Sequence, residues 1–536
     1  MGRPPKAHFE AIQSFLDDAL KGVGSLLFLN TEEQFQMTDI VTNISDFSMS
    51  ENDIRFKPIK FYSHQPRVRS QMVVRRQNTL KANILAYEKR NAGVVKSLWH
   101  PDVTDEVMTV VDDFFNSYVD SRKLSEILAD AVEPNVFELC EWYLSRNPLG
   151  KKALKLELDK PVILDSNLNR FKLMVKADVK FKTDLECLSE MPPGQNIVFH
   201  ERAICAHFSV CFRELVNRLR TVVRKNVVLF NGLSFEEFAD QLSAALDDES
   251  IDAFKCDEID ISKYDKSQST FTKAVELEIY RRLGLPENIL QVWAASEFFG
   301  KAVTNKRSFS AEVYAQRRTG AANTWIGNTV VNMMLLSQSV DVTTLNAVCF
   351  AGDDSLILKK DVPGVNFDVY DLKYEFDVKY YDCASKYFCG KFLIENSGKI
   401  KVMPDPFKIF VKLGKERPQN DKILMEQWRS FFDVTEAYTS EANIVKLVAS
   451  FQNKWVASPH AYESFCTINS LRSNPEQFKR LWFDLYKFNH SRFEGELSFD
   501  VECGKISWGN ISIDLHCYLR SNCNTFIIIS TSVLAK

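Results

Sequence analysis

Apolar residues recur every three or four positions in several segments of the chain, and this spacing predicts amphipathic helices. One segment covers residues 9–20 and stops at Gly22, a second covers 105–119, and a third lies near Phe208–Leu219. Elsewhere, short apolar runs alternate with polar positions or are bounded by turn residues, which is typical of strands. The chain therefore belongs to the mixed α+β class.

A lysine-rich alternation marks one predicted strand. In the segment VKADVKFK, Lys176, Lys180 and Lys182 recur at even spacing. Successive side chains of a strand point to opposite faces, so these lysines would lie on one side. Such a face suits a triphosphate or a template strand, although lysines are also common on exposed strands. Arg202 follows in the segment that leads into the next helix.

Composition narrows the picture only slightly. The 536 residues are 45% hydrophobic, ample for a large core, and the formal net charge is -4. Nucleic-acid-binding proteins often carry a net positive charge, so the net charge of this chain argues mildly against that function. Phosphate binding, however, depends on local clusters of basic residues, which the net charge does not reveal. Twelve cysteines without a Cys-x-x-Cys pair indicate free thiols in a reducing compartment. No signal peptide or membrane-spanning stretch is evident, so any membrane association would come through partners.

The first segment that carries chemistry is AFKCDEIDISKYDKSQ. Residues 253–259 predict a short strand that ends at Asp260, and Asp265 follows after four residues. The next helix is predicted to end at Gly284 and Pro286. A carboxylate at the end of a strand is held rigidly and can bind a metal ion. Both aspartates could equally cap the helix, because aspartate is favoured there.

The second segment is RRTGAANTWIGNTVV. Thr319 and Gly320 predict a turn, and a helix with an apolar face follows. Thr324 and Asn328 are four residues apart and therefore share one side of that helix. These two polar side chains are either caps or the lining of a substrate pocket.

The third segment is NAVCFAGDDSLILKK. Apolar runs on both sides of Gly352, Asp353 and Asp354 predict a hairpin with adjacent carboxylates at its tip. Alone, this triplet is an ordinary turn. Combined with Asp260 on a neighbouring strand, it supplies the carboxylates that two-metal phosphoryl transfer requires. Mg²⁺ is the expected ion because it prefers carboxylate and phosphate oxygens. The upstream lysines and Arg202 would neutralise a triphosphate.

The order of these segments resembles the RNA-dependent RNA polymerases of the alphavirus-like superfamily. Motif A reads Asp260-ISKY-Asp265-KSQ, motif B reads Thr319-Gly320-AAN-Thr324-WIG-Asn328, and motif C is Gly352-Asp353-Asp354. Met174–Lys182 with Arg202 is similar to motif F, EFDVKYYD to motif D, and YFCGKFLI followed by MPDPFKIF to motif E and the element after it. The resemblance covers about residues 65–415.

The resemblance implies a role for each matched residue. Asp260 and Asp353 would ligate two Mg²⁺ ions with help from Asp354, and Mn²⁺ would be a substitute. Asp265 and Asn328 would bind the ribose 2′-hydroxyl, in a nucleotide site that also includes Thr319, Gly320 and Thr324. Lys379 would be the general acid that protonates pyrophosphate, although Lys386 lies nearby in the sequence. Cys256 and Glu258 on the motif A strand would be structural, or the carboxylate of Glu258 beside the site would tune the metals.

The same resemblance implies a right-hand fold of fingers, palm and thumb, with a small antiparallel palm sheet backed by helices. We expect an N-terminal extension joining fingers and thumb, two finger segments, two palm segments and a thumb. Their expected bounds are 1–120 for the extension, 121–250 and 286–315 for the fingers, 251–285 and 316–414 for the palm, and 415–536 for the thumb.

Within the superfamily, SAEVYAQRRTGAANTWIGNT is most similar to closterovirus-like polymerases. This implies RNA template and product, NTPs and a viral methyltransferase-helicase replication protein as partners, at membrane-associated complexes in the host cytoplasm. A reverse transcriptase is disfavoured, because that family has a bulky aromatic residue that excludes the 2′-hydroxyl and a Tyr-x-Asp-Asp turn. This chain has Asp265 at the first position and Ala351-Gly352 before the two aspartates. The other alternative is a catalytically inactive, polymerase-like RNA-binding scaffold, whose sign would be the loss of a metal-binding aspartate.

Overall fold

The computed structural model describes most of the chain between residues 194 and 484 and several segments outside it. The described residues are 2–19, 47–49, 64–69, 78–92, 103–132, 136–146, 148, 150–152, 155, 168–176, 194–304, 307–361, 364–383, 385–415, 418–484, 497–500, 505–508 and 511–514. Lys180 and Lys182 lie outside these ranges.

Helices and strands both contribute throughout. The helices are α1 Glu10–Ala19, α2 Leu80–Arg90, α3 Val103–Tyr118, α4 Ser121–Ile127, α5 Val136–Leu144, α6 Arg202–Val222, α7 Phe235–Ala245, α8 Tyr264–Ser267, α9 Thr270–Arg282, α10 Glu287–Phe298, α11 Thr324–Ser339, α12 Pro406–Lys415, α13 Asp421–Val434, α14 Glu441–Lys454, α15 Ala461–Ser473 and α16 Pro475–Lys479. The strands are β1 Phe47–Met49, β2 His64–Pro66, β3 Arg170–Val175, β4 Asn196–Phe199, β5 Val227–Leu229, β6 Lys255–Ile261, β7 Phe299–Thr304, β8 Phe309–Tyr314, β9 Ala347–Ala351, β10 Asp354–Lys359, β11 Val378–Cys383, β12 Tyr387–Phe388, β13 Lys391–Asn396, β14 Lys399–Pro404, β15 Trp482–Asp484, β16 Leu497–Asp500, β17 Lys505–Trp508 and β18 Ile511–Asp514.

Side-chain caps set the start of several helices. Ser234 accepts a hydrogen bond from the backbone N–H of Glu237, and Glu237 accepts one in return, which forms a capping box before α7. Ser269 caps α9 in the same way with Thr272. Asp260 and Asp265 are therefore not the caps of α9, and the alternative interpretation of these two aspartates as its caps is wrong.

Five strands form the central sheet, in the order β11-β6-β10-β9-β5. All neighbours are antiparallel except β5, which runs parallel to β9 at the edge. Residues alternate between the two faces of β6. Ile259 and Ile261 pack against α3, α6, α9 and α11, whereas Cys256 packs against α7, β13 and β14. The sheet is thus covered on both faces, which explains the continuous apolar run of β9.

A second five-stranded sheet has the order β1-β8-β7-β3-β4, with β3 and β7 parallel. One face packs against α2 through Tyr87, Phe171 and Phe309. The strand predicted for VKADVKFK stays a prediction, because its residues after Lys176 lie outside the described ranges, and Lys176 directly follows the last residue of β3. The alternation of buried and exposed positions in β3 begins at Arg170, because Phe171, Leu173 and Val175 are its buried residues.

The helices α12–α16, here called the helical unit, share one core with α1. Phe15 of α1 lies among Phe410, Phe451 and Phe465, with ring centroids 5.4 to 5.6 Å apart. The hairpin β12-β13-β14 joins this core to the central sheet, because Phe392 and Met403 pack with it while Phe388 packs against α7. The N-terminal helix is therefore part of the same body as the C-terminal helices.

Two expectations from composition can be compared with the described residues. Cys211, Cys256 and Cys349 are buried free thiols, in agreement with the predicted reduced state. Among the described helices, none combines the length and the apolarity that a bilayer crossing requires.

Candidate active site

Three aspartates meet at one end of the central sheet. In the pairing of β10 with β6, Ser355 is opposite Ile259. Continuing this register by one residue brings Asp354 level with Asp260. Asp353 lies in the two-residue turn between β9 and β10, because Asp354 pairs directly with Ala351 across the hairpin. The predicted hairpin is confirmed, and it carries two carboxylates beside the end of β6.

Helix α11 holds this turn in place through hydrogen bonds to the backbone of Gly352. Gly352 has a φ of +66°, a left-handed conformation that glycine adopts without strain. Its backbone N–H donates to the Thr329 hydroxyl at 3.1 Å, and its carbonyl accepts from the Asn332 side-chain amide at 3.1 Å. These two hydrogen bonds therefore fix the position and orientation of the turn relative to α11.

The carboxylates at this end of the sheet repel one another. Burial, followed by the charge of Asp353, raises the pKa of Asp354 to about 6, and Asp260 and Glu258 add to this rise. A hydrogen bond with the Cys389 thiol acts in the opposite direction. A divalent cation would relieve this repulsion, and oxygen donors are what Mg²⁺ prefers. The carboxylate oxygens are the kind of donor that such an ion takes, although within the described ranges no three or more His, Cys, Asp or Glu side chains are grouped so that they could hold a metal ion.

A lysine faces the same end of the sheet from the other neighbour of β6. Lys379 in β11 pairs directly with Asp260, and directly opposed residues of an antiparallel pair point to the same face. Its side chain is exposed. Lys386, the other lysine considered, lies 3.8 Å from Asp252 instead, near the opposite end of β6. The strand register therefore distinguishes the two lysines.

A second cluster lies next to the aspartates, between α8 and α11. The Asn328 side-chain amide donates to the Asp265 carboxylate at 3.3 Å, and the Gln268 amide donates to the Asn328 carbonyl oxygen at 3.0 Å. The Tyr264 hydroxyl donates to the Asn328 backbone carbonyl at 2.7 Å. Burial, followed by the charge of Asp353, raises the pKa of Asp265, so the two clusters interact electrostatically.

This geometry agrees with what comparison with known proteins shows. The profile of the family described as RNA dependent RNA polymerase matches residues 37–481. The chain belongs to this family. Membership confirms the resemblance stated from the three motifs, and the polymerases of the family use divalent metal ions.

Relatives from plant viruses place the polymerase more narrowly. It is 34% identical over 485 residues to replicase polyprotein 1ab of Grapevine leafroll-associated virus 3, and 32% identical over 484 residues to that of Beet yellows virus. Each match covers 89% of this chain but only 17% and 15% of the relative. The replicase large subunit of Youcai mosaic virus is 29% identical over 500 residues, which are 90% of this chain and 30% of the relative. The predicted similarity to closterovirus polymerases is confirmed, and the chain spans between 15% and 30% of the length of these three relatives.

The remaining motif B residues of the polymerase surround the start of α11. The Thr324 hydroxyl lies at hydrogen-bond distance from the carbonyls of Arg318 and Ala321, at 2.9 and 2.8 Å, so it donates to the loop that precedes the helix. The Thr319 hydroxyl donates to the Asn196 carbonyl at 3.4 Å. Gly320 lies against β4, where an added Cβ would be 2.7 Å from the Cβ of Phe199. These three residues shape the loop before Asn328.

Of the four basic residues predicted to bind the triphosphate, two lie within the described ranges. Lys176 follows β3 and Arg202 begins α6, and both side chains are exposed. Lys172, on the same face of β3 as Lys176, pairs with Glu201 at 3.6 Å. Basic side chains are therefore exposed to solvent at the C-terminal end of β3 and at the start of α6.

Sequence reasoning missed a buried ionic network beneath the motif B loop. Arg317 donates two hydrogen bonds to Glu276, at 2.9 and 2.6 Å, and Lys273 lies 3.1 Å from Glu276 and 2.7 Å from Glu297. The Asn323 amide bridges the two glutamates at 2.8 and 2.9 Å. A lysine and a glutamate three residues apart in α9, Lys273 and Glu276, were the available signal.

Proposed function

We propose that this polymerase copies an RNA template into RNA, for viral genome replication and transcription, by two-metal nucleotidyl transfer from NTPs to the 3′-hydroxyl of the growing strand. The observation that carries the proposal is the meeting of Asp260, Asp353 and Asp354 at one end of the central sheet. Adjacent carboxylates on neighbouring strands are what such chemistry needs.

Asp260 and Asp353 would hold two Mg²⁺ ions with help from Asp354, and Mn²⁺ would be a substitute. When bound, these ions activate the attacking hydroxyl and neutralise the triphosphate and the departing pyrophosphate. Burial and the charges of Asp353, Asp260 and Glu258 raise the pKa of Asp354, and this concentration of carboxylates supports the assignment.

Basic side chains complete the proposed reaction. Lys379 donates a proton to the departing pyrophosphate, and its position opposite Asp260 supports it over Lys386. Lys176 and Arg202, together with Lys180 and Lys182, bind the triphosphate and the template. Their charge would compensate the phosphates as these approach the carboxylates.

Asp265 and Asn328 select the ribonucleotide. Asp265 accepts the proton of a 2′-hydroxyl, while the Asn328 amide donates to its oxygen. The hydrogen bond between their side chains supports a joint role. Thr319, Gly320 and Thr324 position this pair through the loop before α11. A deoxynucleotide leaves both groups unpaired, and such losses are the strongest basis of discrimination.

We further propose a right-hand arrangement. The central sheet is the palm, the second sheet belongs to the fingers, and the helical unit is the thumb. The palm motifs are then carried by β6, α11, the β9–β10 hairpin and β11. The sharing of one core by α1 and the helical unit supports an N-terminal segment that extends to the thumb.

The polymerase acts as part of a larger replicase, because its matches cover 15 to 30% of replicase proteins. We propose a viral methyltransferase-helicase protein as its partner, at membrane-associated replication complexes in the host cytoplasm, where the partner supplies the membrane contact.

Primer extension on an RNA template tests the catalytic proposal. Wild-type protein with Mg²⁺ is expected to extend the primer, whereas Asp353→Asn loses at least 1,000-fold in rate, on the order of what loss of a metal ligand removes. Asp361→Asn, at an exposed aspartate after β10, is the matched control and retains the rate. Absence of extension by the wild-type protein would favour the alternative, an inactive polymerase-like RNA-binding scaffold, and equal extension by wild type and Asp353→Asn would overturn the assignment of Asp353 as a metal ligand.

A further inference from the structure

We propose that Gln268 is a positioning residue for ribose selection, which it controls by fixing the orientation of the Asn328 side-chain amide. The inference rests on the proposed function, since it concerns the same 2′-hydroxyl. Gln268 follows α8, is completely buried, and directly precedes the residue that caps α9.

Three side chains form a directed chain of hydrogen bonds. The Gln268 Nε2 donates to the Asn328 Oδ1 at 3.0 Å, and the Asn328 Nδ2 donates to the Asp265 Oδ1 at 3.3 Å. The backbone of Asn328 is held separately, because its carbonyl accepts from the Tyr264 hydroxyl at 2.7 Å. With the backbone fixed, the remaining freedom of Asn328 is the rotation of its amide.

That rotation has two states of opposite chemistry. An amide carries a donor on one side and an acceptor on the other, and a half-turn exchanges them. An ionised carboxylate only accepts, so Asp265 requires the NH₂ of Asn328 on its side. The carbonyl oxygen then faces Gln268 in a buried position, where it needs a donor.

Gln268 supplies this donor without serving another partner. Within the described part of the chain, its Oε1 is buried and accepts no hydrogen bond. Removing the donor leaves the Asn328 carbonyl unsatisfied and removes the preference for the orientation that satisfies Asp265.

The fixed amide gives the site its specificity. The Asn328 NH₂ carries a second hydrogen that can donate to a 2′-oxygen, while Asp265 accepts the 2′-proton. A reversed amide would present two acceptors to the hydroxyl. Ribonucleotide and deoxynucleotide would then be bound with similar free energies.

The test measures kcat/KM for UTP and for dUTP in primer extension by the full chain. Gln268→Met keeps the volume and removes the donor, and we expect the UTP preference to fall about 10-fold or more. Gln268→Glu keeps the shape but accepts from Asn328, so we expect a loss at least as large. Gln338→Met is the matched control. Gln338 lies on the same helix as Asn328 and donates to Asp113 at 2.9 Å, so its loss is expected to leave the preference unchanged.

The double variant Gln268→Met/Asn328→Ala separates positioning from a general structural effect. If Gln268 acts through Asn328, the double variant has the same preference as Asn328→Ala alone. A wild-type preference in both Gln268 variants, with a reduced one in Asn328→Ala, overturns the inference and leaves the proposed function intact. An unchanged preference in Asn328→Ala, or absence of extension by wild-type protein, overturns the proposed function itself.

Discussion

Lys454, the last residue of α14, forms an ion pair with Glu258 in β6. Glu258 precedes Asp260 by two residues and so lies on the same face of the strand. The Lys454 ammonium also lies 4.3 Å from the centre of the Tyr387 ring, whose hydroxyl donates to Asp405 at 2.9 Å. The helical unit thus contacts the central sheet immediately beside the proposed catalytic carboxylates.

Lys454→Met is expected to destabilise the protein by about 2 kcal/mol, because a largely buried carboxylate loses its ion-pair partner. The side chains of Lys454 and Glu258 are 8% and 19% exposed, so solvent screens the pair only in part. Urea unfolding measures the loss. Adding Glu258→Gln to Lys454→Met should recover part of it. Lys446→Met, at an exposed lysine of α14, should change stability by less than about 0.5 kcal/mol. Equal effects of the two lysine substitutions would contradict the prediction.

The strand register predicts which lysine serves as the general acid. Lys379→Met should lower kcat by about 100-fold, within the usual contribution of proton transfer, while primer-template binding is retained. Lys386→Met should remain within about threefold of wild type, since Lys386 lies beside Asp252. Single-turnover nucleotide incorporation measures both variants. The assignment is wrong if Lys386→Met is the slower enzyme.

The helices and strands that could be predicted are those whose own residues carry a clear pattern of apolar positions and turn residues. The β9–β10 hairpin was predictable because apolar runs flank Gly352, and α11 because Ile326, Val330 and Met333 recur at helical spacing. Family motifs then identified which aspartates to compare. None of this requires contacts between distant parts of the chain.

The contacts between distant segments could not be predicted in this way. Lys454 and Glu258 are 196 residues apart, and neither segment carries a pattern that indicates the other. Gln268 was part of a matched motif, but its partner depends on the placement of α8 against α11. β3 was not predicted, because the lysine alternation in the sequence begins only after the buried alternation of Phe171, Leu173 and Val175 that defines this strand.

Gly327 in α11 is expected to tolerate no side chain. An added Cβ would overlap Arg317 and Glu276, which belong to the buried ionic network beneath the motif B loop. Gly327→Ala should therefore cost about 3 kcal/mol despite the better helix propensity of alanine, because overpacking displaces a buried ion pair. Gly364→Ala is the control, since no atom of the described residues, its chain neighbours aside, lies within 4 Å of its added Cβ. Urea unfolding should show less than about 0.5 kcal/mol for the control, and a stable Gly327→Ala would contradict the packing argument.

Because His200 is buried, we expect the protein to lose stability in mild acid. It lies between Phe171 and Trp293, at centroid distances of 4.4 and 5.3 Å, and burial lowers its pKa to about 4. The unfolded state therefore binds more protons between pH 6.5 and about 4, so stability falls as the pH drops through this window. From pH 7.5 to 5.5, the expected contribution is about 1 kcal/mol. His200→Gln should remove this part of the pH dependence, whereas His207→Gln, at an exposed position of α6, should retain it. Urea midpoints of the three proteins at both pH values measure the effect, and parallel pH dependence of wild type and His200→Gln would show that His200 is not the group responsible.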